Sequence, residues 1–186
     1  VDDGFDIGIR IGKMRDKALM QRKLCEDASV ACASPAYLDR KGRPQALADL
    51  REHEVIGYSH LPNSQLWQFQ DRDRFVSPLV QGRLSMNNGE AIRDMAVEGL
   101  GLAILPGFIV APALADGRLE RVLPGFGTRP LPIVAVWPPV LPMPAKLRRF
   151  IDHVAAELRQ PSWQAGWGGG RSGPISQEPA IPKVVP

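Results

Sequence analysis

The stretch at residues 82–108, GRLSMNNGEAIRDMAVEGLGLAILPGF, restricts the possible folds more than any other part of the chain. Leu84 and Met86 alternate as in a strand. Asn87 or Asn88 is placed to cap a helix, because a short side-chain oxygen accepts from an otherwise unpaired backbone N–H. From Gly89 onward the apolar residues Ile92, Met95 and Ala96 fall at helical spacing. Gly99 supplies a left-handed stop and Gly101 lets the chain turn. Residues 102–105 read as a buried strand that ends at Pro106. The unit predicted is strand, helix, strand, with a polar and uncharged helix start. Such a start offers free N–H groups and partial positive charge, so it suits one wall of a small-molecule site.

The rest of the chain supports an α/β class, because strands and short helices alternate. Residues 5–11, FDIGIRI, place Phe5, Ile7, Ile9 and Ile11 on one face of a strand that ends at Gly12. A polar loop follows at 13–17. Residues 19–24 and 28–33 predict two further strands, the second apolar enough to be covered on both faces. Ser34-Pro35 opens a short helix, with Ser34 as cap and Pro35 at the first helical position. A helix is expected over 45–52, a strand over 55–58, a turn at LPNS, and a strand over 66–69. Extended chain over 75–80 leads into the opening unit. A helix over 108–115, an extended piece over 119–123 and a buried strand over 131–137 come next. The clearest helix is 144–158, where Leu147, Phe150, Ile151, Val154, Ala155 and Leu158 form one stripe. From residue 160 the chain is rich in Gly, Pro and Ser without any period, and a disordered tail is expected over 160–186.

Composition narrows the function. A 186-residue chain can hide roughly 70% of its unfolded surface, so it needs neither disulfide nor metal to hold a core. The formal net charge is +3, and the cations are scattered with no run long enough to grip a phosphate backbone. Cys25 and Cys32 lie in or beside apolar strand-like segments and read as buried free thiols, which fits a reducing, cytoplasmic setting. No apolar stretch reaches the ~20 residues of a membrane span. No secretion signal is visible, and the start at Val1 leads us to expect further native sequence upstream. His53, His60 and His153 sit apart and read as surface or boundary residues. Asp2, Asp3 and Asp6 read as a solvated helix end and strand edge. No zinc spacing, GxSxG, P-loop or post-strand GxGxxG is present, so neither a metal, a cofactor nor an enzymatic site is expected. What remains is recognition chemistry at the helix starts of Ser34 and Asn87/Asn88. There a carboxylate gains roughly 0.3–1 kcal/mol when exposed and up to ~2 when partly buried. The alternative is that Ser34 and Asn88 are caps and nothing more. Arg10 either reaches the cleft or pairs with Asp6.

Three segments carry a resemblance. Residues 3–12 (DGFDIGIRIG), 32–42 (CASPAYLDRKG) and 87–124 resemble, in order, the C-terminal effector-binding domain of LysR-type transcriptional regulators. The resemblance runs from Val1 to about Leu158. It implies a periplasmic-binding-protein-like (type II) fold of two α/β lobes, with the first lobe incomplete. On that reading residues 1–24 belong to lobe I, 25–128 form lobe II, and 129–159 return to lobe I with the last helix. It implies a small effector in the cleft, which the polar caps at the two helix starts lead us to expect to be anionic, a homodimer or tetramer in the whole protein, and DNA contact only through a winged helix-turn-helix outside this chain. The cleft positions it implies are Ile11 and Gly12, Ser34 and Pro35, Asn87, Asn88 and Gly89, and Ile104, Leu105 and Pro106. The alternatives are a transport-type solute-binding protein of the same fold, or a truncated remnant that binds nothing.

Overall fold

The computed structural model describes residues 4–12, 18–59, 67–71, 74–78, 80, 82–140 and 142–164. Among these residues ten strands alternate with four α-helices. In chain order they are β1 (Gly8–Ile11), β2 (Met20–Ala33), α1 (Pro35–Lys41), β3 (Val55–Tyr58), β4 (Phe69–Asp71), β5 (Arg74–Val76) and β6 (Gly82–Met86). Then come α2 (Gly89–Val97), β7 (Ala103–Pro106), α3 (Gly107–Ala115), β8 (Glu120–Arg121), β9 (Gly127–Thr128), β10 (Pro130–Trp137) and α4 (Ala145–Glu157). Short 3-10 turns stand at Leu47–Glu52 and Ser162–Gln164.

β2 is the spine. It runs 14 residues without a break. Its first part pairs antiparallel with β10, from Met20 opposite Trp137 to Ala28 opposite Pro130. Its last part pairs antiparallel with β7, from Ser29 opposite Pro106 to Cys32 opposite Ala103, and with β8 at Cys32 and Ala33. The expectation of two separate strands, 19–24 and 28–33, is therefore corrected. Cys25, Glu26 and Asp27 interrupt the apolar pattern, but their backbones stay in the ladder opposite Ile133, Pro132 and Leu131. The polar interruption marks a change of partner rather than a turn. β1 lies on the outer edge of β10. β3 pairs in parallel with β6, and Val55 also bridges Leu102 in parallel, so β6, α2 and β7 form the expected crossover with β3 between the strands.

Burial follows the strand period of two. At the end of β2, Ala31 and Ala33 enter one core cluster while Val30 and Cys32 enter another on the opposite face. The first cluster gathers Tyr37 and Leu38 of α1, Leu50, Trp67, Phe69, Leu102 and Leu123. The second gathers Ile56, Ile92 and Ala96 of α2, Leu105, and Val110 and Ala113 of α3. A third gathers Leu24, Ile133, Ala135 and Trp137 beneath Leu147 and Ile151 of α4. The α4 stripe seats only partly: Leu147 and Ile151 are buried, but Phe150 is 46% exposed. Burial in the second cluster's strand pushes the Cys32 thiol up to about 12, and desolvation also raises Cys25, which is half-buried.

Several expectations shift in detail. The helix expected over 45–52 is the 3-10 turn Leu47–Glu52, with Leu50 fully buried. The strand expected over 66–69 begins at Phe69. Asp6 pairs with Lys146 at 2.7 Å rather than with Arg10. His53 is not a surface residue: it is 8% exposed, with Nδ1 3.2 Å from the Tyr37 hydroxyl. That hydroxyl also accepts from the Glu54 N–H at 2.9 Å. The expected helix end at 1–3, the loop at 13–17, His60, the LPNS turn and the tail from 165 lie outside the described residues. Within 160–164, placed at the head of that tail, Pro161 is buried and Trp163 meets the Phe108 ring edge-on, centroids 6.1 Å apart.

Gly99 takes φ +76° as the stop after α2, and two residues later the backbone passes tight against the 53–54 segment. A Cβ on Gly101 would stand 2.6 Å from the Glu54 carbonyl oxygen, while one on Gly125 meets nothing within 4 Å. Gly101→Ala is expected to cost about 1–3 kcal/mol in urea denaturation, the range for overpacking a fitted interior. Gly125→Ala is expected to stay within about 0.5 kcal/mol of the parent. A second expectation concerns pH. Desolvation by burial lowers the His53 pKa below the usual 6.5, so the unfolded chain takes up that proton first. The stability this neutral ring confers is complete above about pH 6.5 and declines as pH falls toward the lowered native value. His53→Gln is expected to flatten that part of the stability-versus-pH curve.

Candidate functional site

The helix start singled out in the sequence is present. β6 ends at Met86, and the backbone of Asn88 stays extended at φ −123°, ψ 121°. Its side-chain oxygen then accepts from the Ala91 N–H at 2.9 Å, which closes one unpaired donor of α2. Glu90 in the first turn complements the helix dipole, so the start of α2 carries a charge and the expectation of an uncharged start is corrected. Asn87 and Asn88 are exposed, so the start of α2 faces outward. The helix is fixed there by close packing. A Cβ on Gly89 would lie 2.7 Å from Ile109 Cδ1, the tip of a flexible side chain, and 3.7 Å from Leu105 Cδ2, so α2 starts in close contact with the corner between β7 and α3.

That corner meets the crossing strand. Pro106 ends β7 opposite Ser29 and leads into α3 with no side-chain cap of its own. The cap comes from β2 instead: Asp27 Oδ2 accepts from the Phe108 N–H at 3.2 Å. Asp27 is 3% exposed, and its other oxygen has no hydrogen-bond partner. Thr128 Oγ1 donates to the Ser29 carbonyl at 2.8 Å. On the other side, the Gly12 N–H donates to the Pro132 carbonyl at 2.8 Å, one rung from Asp27 and Leu131. Gly12, Gly89, Leu105 and Pro106 are thus tied, directly or through one neighbour, to the few residues where β2 changes partner.

Ser34 and Pro35 do not join them. Ser34 is 3% exposed, and its Oγ accepts from the Tyr37 N–H over a long 3.4 Å. Its neighbour is Gly99, past the C-terminal end of α2: a Cβ there would lie 3.4 Å from Ser34 Oγ. Arg40 closes the junction by donating to the Gly99 carbonyl at 2.9 Å. Ser34 and Asn88 therefore sit at opposite ends of α2, a helix of nine residues and so about 14 Å long. Ser34 acts as a buried cap, with Pro35 as the first residue of its helix. Ile11 is 49% exposed on the edge strand. Ile104 packs into the first core cluster, on the opposite strand face from Leu105.

Asp27, Phe108 and Thr128 escaped the sequence reading. The signal for Asp27 was present: a carboxylate inside a strand-forming run must find a donor or remain costly. Among the described residues, no group of three or more His, Cys, Asp or Glu side chains is placed to hold a metal ion. Two open hollows lie elsewhere. One, of about 360 Å³, runs between α3 and the turn carrying Trp163; the other, of about 300 Å³, lies between Arg22, Trp137 and α4. None of the ten residues expected in the cleft lines either hollow.

With this geometry in hand, similarity to known proteins becomes informative. The family described as LysR substrate binding domain matches residues 1–159. The HTH-type transcriptional regulator PtxR of Pseudomonas aeruginosa is 37% identical over 164 residues, covering 87% of this chain and 52% of that protein. The uncharacterized HTH-type transcriptional regulator YhjC of Escherichia coli is 31% identical over 163 residues, covering 85% and 54% respectively. The regulatory domain of CrgA, a LysR-type regulator from Neisseria meningitidis, superposes with a TM-score of 0.76 at 26% identity, covering 84% of this chain and 77% of that one. Full-length AphB, the Vibrio cholerae virulence activator, superposes at 0.72 with 28% identity, covering 83% and 52%. The chain spans about half the length of the curated relatives it matches.

The Asp27 contact gives a direct expectation. Asp27→Ala strands the Phe108 N–H in a buried corner and is expected to cost about 1–3 kcal/mol in urea denaturation. Asp27→Asn keeps an acceptor for that N–H and is expected to cost less than the alanine variant.

Proposed function

The chain belongs to the LysR substrate-binding domain family, and from that premise we propose that it is the ligand-sensing part of a transcriptional regulator. It has the periplasmic-binding-protein-like α/β fold of that family. Its matched relatives are transcriptional regulators. In our reading residues 1–24 and 129–159 form one lobe and 25–128 the other, with β2 and β10 as the crossing strands. A small metabolite with an anionic end sits in the cleft before the α2 start, touching Asn87, Asn88, Gly89, Leu105, Pro106 and Gly12. Ile11, Ser34, Pro35 and Ile104 are left out of the site, because Ile11 lies exposed on the edge strand, Ser34 and Pro35 lie beyond the far end of α2, and Ile104 packs against the first core. DNA contact and assembly into a homo-oligomer belong to the whole regulator, through a helix-turn-helix outside this chain. The reading places the regulator in the cytoplasm; among the described residues no helix is long and apolar enough to cross a membrane.

The mechanism is a shift in population. A ligand moves the balance between two lobe arrangements only by binding them unequally, and a change from 1:99 to 99:1 takes about 5.5 kcal/mol of differential affinity. The observation that supports the reading is the α2 start itself, exposed at Asn87 and Asn88 while Gly89 packs close to Leu105 and Ile109 at the corner between β7 and α3. A ligand seated there touches groups from both sides of the crossing.

Calorimetry against a panel of small mono- and dicarboxylates tests the site. Asn88→Ala removes a cap and a polar contact and is expected to weaken binding by about 0.5–2 kcal/mol. Asn88→Asp caps as well as asparagine but places a negative charge at the same spot. It is expected to keep the parent's melting temperature and to lose carboxylate binding. Parent-like affinity in both variants contradicts the assignment.

A further inference from the structure

The family match ends at residue 159, yet beyond it Pro161 is buried and Trp163 is partly buried. Leu158 sits partly buried against the core beneath α4, Pro161 is buried, and the turn Ser162–Gln164 then lies on α3. α3 has two apolar faces. Val110 and Ala113 enter the second core cluster with α2. Phe108, Ala111, Pro112 and Ala115, at helical spacing on the other face, line the hollow beneath the turn with Trp163. Trp163 and Phe108 themselves pack against the third cluster, the one built from β10 and α4. The turn thus reaches from α4 to a helix that belongs to the other core.

The contact carries a built-in penalty. Two buried side-chain atoms among the described residues lack a hydrogen-bond partner: Trp163 Nε1 and Asp27 Oδ1. Both flank Phe108, one through the ring contact and the other through the bond from its sister oxygen to the Phe108 N–H. Apolar packing holds the turn down, while an unpaired indole N–H and an unpaired carboxylate oxygen favour any arrangement that lets water reach them. Lifting the turn would give both groups access to water and so lower the cost of release.

We propose that residues 161–164 form a latch that ties α4 to α3 and limits how far the two lobes open, with Trp163 as the part that engages and releases. The inference rests on the two-lobe reading above but not on the identity or charge of any effector. The latch makes opposite predictions for two substitutions. Trp163→Ala removes the ring that fills the gap and releases the turn. Trp163→Phe keeps an aromatic edge against Phe108 and removes the unpaired donor, so the latched state gains.

Spin labels on the full chain measure this without any ligand. Cysteines introduced at Lys41→Cys on α1 and Arg149→Cys on α4, in a Cys25→Ser, Cys32→Ala background, report the distance between the two cores by electron double resonance. We expect Trp163→Ala to add a population at a different distance, and a chain ending at Gln160 to do the same. Trp163→Phe is expected to give a distribution no broader than the parent's. A parent-like distribution in Trp163→Ala, with native far-UV dichroism, overturns the latch. So does loss of the native dichroism in both the alanine and the shortened variant, which makes the segment part of the core. Calorimetry of the Asn88 variants fails or succeeds independently of this result.

Discussion

Everything in this molecule hangs from one backbone obligation. Every N–H and C=O of a buried strand must find a partner, and β2 meets that demand by pairing with β10 along its first part and with β7 and β8 along its last. Because the strand never breaks, the two halves of the sheet share a single spine rather than a linker. The helices then choose sides. α4 covers the β10 half, while α1, α2 and α3 cover the other. At Asp27 to Ser29, where the ladder changes partner, the strand is further tied by the Phe108 N–H donating to Asp27 and the Thr128 hydroxyl donating to the Ser29 carbonyl.

That geometry explains how local chemistry became site chemistry. α3 begins with proline and glycine and has no cap of its own, so its first amides need a partner from elsewhere. Asp27 supplies one across 81 positions of sequence, and in doing so fastens α3 to the crossing. α2 carries its own cap in Asn88 and can leave its outer face open. Two neighbouring helix starts therefore play unequal parts, one consumed by the fold and the other left facing outward.

Much of this was legible in the residues, and the parts that were not share a cause. The α2 unit, its Asn88 cap, the Gly99 stop, the strand at β10 and the α4 stripe are local patterns, written in spacings of two or of three to four residues. The continuity of β2 was misread because a polar Cys-Glu-Asp run inside a strand looks like a turn until its ladder partners are known. Ser34 and Asn88 looked equivalent because both are good caps, and only the packing of α2 between them shows that they face different surroundings. His53 looked like a boundary residue because nothing in its neighbourhood announces the Tyr37 hydroxyl, 16 positions earlier. Trp163 looked like part of a formless tail because glycine and proline dominate the residues after it. In each case the missing information was which ends of elements meet, and that is a property of the assembled chain.

The buried thiol on the β2 spine has a consequence of its own. With Cys32 fully buried and its thiol held up by desolvation, the reactive thiolate is strongly disfavoured near neutral pH. Peroxides and electrophiles will therefore pass this position by while the sheet stays shut, and thiol chemistry on the folded chain falls to Cys25, the half-covered sulfur seven residues upstream.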